Sequence, residues 1–137
     1  MSLRCFIQTQ APVPGSAAQP VHYPACEWVG DDGAVDHPHP LNRFVCSWLT
    51  SDMADVAHCD AVLHAMTQIE AGTRKEWFVD GDAFNVDMAI NGVQFNQSNV
   101  DSDDVTYWNQ TEGRFTWLEV KTLLRTWRDF LAIPAQH

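Results

Sequence analysis

Glu76-Trp77-Phe78-Val79-Asp80-Gly81-Asp82-Ala83-Phe84-Asn85-Val86-Asp87-Met88-Ala89-Ile90-Asn91-Gly92-Val93-Gln94-Phe95-Asn96-Gln97 is the stretch that decides the fold. Trp77 and Val79 alternate with polar neighbours up to Asp80-Gly81, a turn signal. Phe84, Val86, Met88 and Ile90 then alternate with Asn85, Asp87 and Ala89, the period of a half-buried strand. Asn91-Gly92 follows at once and Val93 and Phe95 resume the alternation, so the dipeptide reads as a hairpin turn. Residues 76–97 are therefore expected to form three antiparallel strands in a meander, with a fourth from Val105 to Trp108.

On the N-terminal side of the meander, Ser51 or Asp52 is expected to cap a helix. Val56, Cys59, Leu63, Met66 and Ile69 form its apolar stripe, and Gly72 ends it. On the C-terminal side, Thr116 and Glu119 have the spacing of a capping box. Trp117, Val120, Leu124, Trp127 and Leu131 then fall on one stripe, widened by Leu123 and Phe130, and Pro134 ends the helix. Further upstream, 4–9 reads as a short strand. Residues 10–42 read as a long loop rich in Pro, Gly and His, with Glu27-Trp28-Val29 as a possible short strand inside it. For Arg43–Leu49 the pattern does not separate helix from strand. The expected fold is a single α+β domain over 1–137: an antiparallel meander of three to five strands packed on two main helices, both on one face. The other face or its edge is then left for function.

Six tryptophans in 137 residues offer a large buried area, so the core is expected to lean on them. No apolar run reaches the roughly 18 residues of a membrane span. The N-terminal residues lack the apolar stretch of a secretory signal, and a cytoplasmic location is expected. In that compartment Cys5, Cys26, Cys46 and Cys59 should be reduced, with Cys46 and Cys59 in apolar patterns that place them in the core.

Charge carries the functional reading. The net charge is −10, which repels nucleic acid and anionic membranes and attracts basic partners. From Glu76 to Gly113 there are eight carboxylates and no Lys or Arg. Asp80, Asp82, Asp87, Asp101, Asp103, Asp104 and Glu112 are the expected charged contact surface, with Tyr107 and Trp108 as aromatic anchors. The chain carries no Gly-x-Ser-x-Gly, phosphate-binding glycine loop or His-Glu-x-x-His, so no catalytic residues are assigned and the protein is expected not to be an enzyme. No Cys-x-x-Cys pair supports zinc. Asp101-Ser102-Asp103-Asp104 lacks the glycine and closing Glu of a calcium loop. His22, His37 and His39 beside Asp36 are a weaker metal-binding alternative, while His58 and His64 face apart on a helix. No cofactor or metal is assigned.

Trp48, Ile69-Glu70-Ala71-Gly72, Glu76-Trp77 and the closing Phe115–Leu131 helix resemble small immunity proteins of contact-dependent growth inhibition and related polymorphic toxin systems. They are also similar to a short bacterial family of the same helix–meander–helix plan. The resemblance covers about residues 46–131. It implies an antidote that binds one cognate protein toxin; many such toxins are nucleases with basic clefts. A structural or regulatory subunit using a sheet edge is the alternative.

Overall fold

The computed structural model describes residues 2–97 and 110–133. Among them are six strands in two antiparallel sheets and three α-helices, a mixed α and β fold as expected. The first sheet is a hairpin of β1 (Ser2–Gln10) and β2 (Val21–Val29). A π-helical turn over Leu41–Cys46 runs straight into α1 (Ser47–Asp52). Next come α2 (Val56–Glu70), β3 (Glu76–Asp80), β4 (Phe84–Ala89) and β5 (Gly92–Gln97). A 3-10 turn at Thr111–Gly113 leads into β6 (Arg114–Phe115) and α3 (Trp117–Leu131). The second sheet has the order β3-β4-β5-β6.

The meander and both main helices are as expected, with three corrections and one open reading decided. First, much of the loop expected over 10–42 is β2, which runs for nine residues and pairs with β1 along its whole length. β2 accommodates Pro24 because the missing N–H faces away from β1, where the ladder needs no donor. Second, residues 43–49 are helical. Third, Asp55 caps α2, its Oδ1 accepting from the His58 N–H at 2.7 Å. Asp52 instead accepts from the N–H groups of Ala83 and Phe84, at 3.0 and 2.9 Å, and pins the β3–β4 turn. Gly81 is required there: a Cβ would collide with the Asp52 carboxylate and lie 3.0 Å from the Phe84 carbonyl. Fourth, the β4–β5 turn is Ile90-Asn91, with Ala89 opposite Gly92. Ile90 is therefore exposed instead of continuing the buried face. The fourth strand expected at Val105–Trp108 lies outside the described residues, as does Pro134; β5's second partner is β6.

Val79, Val86, Met88, Val93, Phe95 and Phe115 line the inner face of the larger sheet and are buried. Trp48 meets Phe95 edge-on with ring centroids 5.3 Å apart, and Phe95 meets Phe115 at 5.6 Å. These offset geometries favour the ring quadrupoles as well as burying area. Trp48 and Trp127 are fully buried, whereas Trp28, Trp77 and Trp117 only pack against the core's margin. The Thr116–Glu119 capping box is formed, and Val120, Leu123, Leu124, Trp127 and Leu131 of α3 are buried. Lys121 pairs with Glu70 and Arg128 forks onto Asp60, so the basic C-terminal helix is tied to α2. Cys26, Cys46 and Cys59 are buried, and all four thiols are free.

Candidate functional site

Strand alternation puts Glu76, Phe78 and Asp80 of β3 on the outer face of the larger sheet, with Asn85 and Asp87 of β4 and Arg114 of β6. Register fixes the rows. Phe78, Asp87, Gln94 and Arg114 stand opposite one another across all four strands, and Asp80, Asn85 and Asn96 form the next row. The two ends of this face differ. Over β5, Gln94 and Asn96 are buried at 6% and 1% exposure, and the Gln94 amide donates to the Gln110 carbonyl at 3.0 Å. Over β3 and β4 the face is open, with Phe78 51% exposed. The expectation of one covered and one free face therefore holds only for the half formed by β3 and β4.

This open half is acidic. Among the described residues, Glu76, Asp80, Asp82 and Asp87 make no ion pair, whereas Arg4, Arg43, Lys121 and Arg128 are each paired with a carboxylate elsewhere. Burial, followed by the like charge of Glu76, pushes the Asp87 carboxyl above the ordinary aspartate range. A small cavity of about 180 Å³ lies beside these groups, lined by Glu76, Phe78, Asp87, Gly92 and Arg114. The Arg114 guanidinium lies over Gly92, where a Cβ would come within 3.0 Å of Nη2. Glycine at this point leaves room for the Arg114 guanidinium beside the β4–β5 turn.

Asp87 is thus ionised at a cost. A carboxyl whose folded pKa exceeds its unfolded value destabilises the folded chain above that pKa, and the penalty fades as pH falls and the group protonates. Asp87→Asn is expected to raise the thermal midpoint at neutral pH. The gain should disappear as pH falls below the carboxylate range; a gain that persisted in acid would contradict this account.

The expected contact residues separate in the structure. Asp80, Asp82 and Asp87 lie on or beside the open face. Glu112 does not join them as a free charge, because it is ion-paired with Arg43. The reason is tertiary: Arg43 is remote in sequence and is brought there by the π-helical turn. Asp101, Asp103, Asp104, Tyr107 and Trp108 lie outside the described residues. Sequence reasoning missed Glu76 and Phe78 as members of the face, although the period of two that placed Trp77 and Val79 inward places both outward.

Two other concavities carry less charge. A cleft of about 580 Å³ between the β1–β2 hairpin and α1 is lined by Phe6, Tyr23, Glu27, His37, Arg43 and Thr50. Its charged walls are already compensated, Glu27 by Arg4 and Arg43 by Glu112. A groove of about 520 Å³ between the hairpin and α3 is lined mainly by Leu3, Trp28, Leu41, Leu118 and Leu123. As for the histidines, the His22 Nδ1 shares a hydrogen bond with Thr9, and the His39 Nδ1 accepts from the Leu41 N–H. Among the described residues, no three His, Cys, Asp or Glu side chains are placed to hold a metal ion. No described helix is long and apolar enough to cross a membrane.

Comparisons with protein-family models, curated proteins and solved structures find no match to this chain.

Proposed function

We propose that the chain is an immunity-type protein that neutralises a basic protein toxin by binding it, without catalysis, through the open face of β3 and β4. The supporting observation is that Glu76, Asp80 and Asp87 stand unpaired on one sheet face around the exposed Phe78 ring. Unpaired carboxylates around an exposed aromatic suit a partner that is steered in electrostatically and anchored by apolar contact. The raised pKa of Asp87 fits the same reading, since a charge kept at the expense of stability is one that a cationic partner would repay on docking.

The test uses the toxin encoded beside the gene, mixed with purified protein. The wild-type chain should form a stoichiometric complex and protect cells making that toxin. The triple variant Glu76→Lys, Asp80→Lys, Asp87→Lys should associate about tenfold or more slowly at low salt, with the difference shrinking as salt screens the charges. Absence of a complex and of protection would sink the proposal. An unchanged association rate would move the contact surface elsewhere.

A further inference from the structure

The β1–β2 hairpin has one guarded edge and one open edge. Asn42 sets the phase: its Oδ1 accepts from the Trp28 N–H at 2.7 Å and its Nδ2 donates to the Trp28 carbonyl at 3.1 Å. The peptide groups of Trp28 therefore point away from β1. In an antiparallel ladder this orientation recurs at every second residue. With the continuous register, Cys26, Pro24 and His22 on β2 also point outward, as do Cys5, Ile7 and Thr9 on β1. On β2 that edge is occupied by Asn42 and lacks a donor at Pro24. On β1 the N–H groups of Cys5, Ile7 and Thr9 have no partner among the described residues.

Edge strands are ordinarily protected by charge, proline or a bulge. β1 has none of these between Cys5 and Gln10. The neutrality extends further: no Asp, Glu, Lys or Arg occurs from Cys5 to Cys26, in a chain that is 19% charged. From Gln8 to Tyr23 every residue except Pro12 is exposed, with Val13 at 76%. A hairpin with this little packing is marginal by itself and gains from further strands.

We propose that this arm is a self-association site, in which β1 of one copy pairs antiparallel with β1 of a second copy about a two-fold axis, giving a four-stranded sheet. Electrostatics selects the occupant. Two copies of a chain with net charge −10 repel, so they meet best through a tract without charge. A cationic partner would find nothing to recognise on the same tract and is drawn instead to the acidic sheet face. An antiparallel β1–β1 contact is self-complementary, as a two-fold interface requires. With few side chains in contact, the dimer is reversible.

Residue-resolved hydrogen exchange on the full chain, dilute and concentrated, tests this alongside sedimentation velocity. Concentration should shift the chain from monomer to dimer and slow exchange at Cys5, Ile7 and Thr9 by about tenfold or more. Exchange at Arg4, Phe6 and Gln8, whose amides lie within the hairpin, should not change with concentration. Ile7→Pro removes an outward donor that the hairpin itself does not use, and should weaken dimerisation by about tenfold. A chain that stays monomeric at all concentrations would overturn the proposal. So would a dimer in which the three outward amides exchange as fast as in the monomer, a result readable on the wild-type chain whether or not the variant folds.

Discussion

Trp127→Ala is expected to destabilise the fold by about 3–5 kcal/mol, the range for removing a fully buried aromatic side chain. Trp127 is wholly inaccessible to solvent, and its indole N–H donates to the Met53 carbonyl at 2.7 Å. That bond joins α3 to the short link between α1 and α2, so the side chain contributes both volume and a long-range tie. Truncation leaves a cavity and strips the buried Met53 carbonyl of its strong donor, leaving among the described residues the weaker Cys59 thiol at 3.6 Å. Trp127→Phe keeps most of the ring but loses the bond, so its cost should fall to about 1–3 kcal/mol. Single domains have about 5–15 kcal/mol in hand, so the alanine variant should unfold at a far lower denaturant midpoint. Equal midpoints for the alanine and phenylalanine variants would show that the volume of this side chain is unimportant.

Asp52→Ala is the second large effect, expected at about 2–3 kcal/mol, because the carboxylate holds two backbone donors and charged hydrogen bonds are the stronger kind. It accepts from Ala83 and Phe84, which follow Gly81 in the β3–β4 turn. Without it the two half-buried amides lose their partner, and the turn that sets the register of the acidic face loosens. Asp52→Asn retains one acceptor oxygen and should recover part of the loss. Chemical denaturation reads the stability, and amide exchange at Ala83 and Phe84 reads the site. Wild-type protection of those amides in the alanine variant would refute the role given to Asp52.

Asp52 also illustrates what was legible in the sequence. A Ser-Asp pair ahead of an apolar helical stripe is a sound capping signal, and Asp55, three residues on, satisfies it equally well. Local chemistry does not choose between the two. The choice falls to Asp55 because α1 ends beside the β3–β4 turn, where Asp52 meets donors 31 and 32 residues away. The same limit applies to Glu112. Its charge and its neighbourhood in an acidic tract were plain, while the Arg43 that neutralises it arrives only through the fold. Residues 21–26, expected as loop, show the same limit, because a proline such as Pro24 fits a strand when its missing N–H faces away from the neighbour.

By itself the sequence determined the elements whose period is their own evidence: the three-stranded meander over 76–97, α2, and α3 with its capping box. In each, alternation or a helical stripe records which side is buried, and local hydrogen bonding closes the ends. It also determined that the carboxylates concentrate near the meander. The tertiary structure decided which of the described ones remain free, that Glu76, Asp80 and Asp87 share the open face of β3 and β4, and that residues 21–29 pair into an arm with one open edge. Those outcomes depend on contacts between residues far apart in the chain. No local pattern records such contacts, because a side chain's charge and hydrogen bonds are fixed by whatever the fold sets beside it.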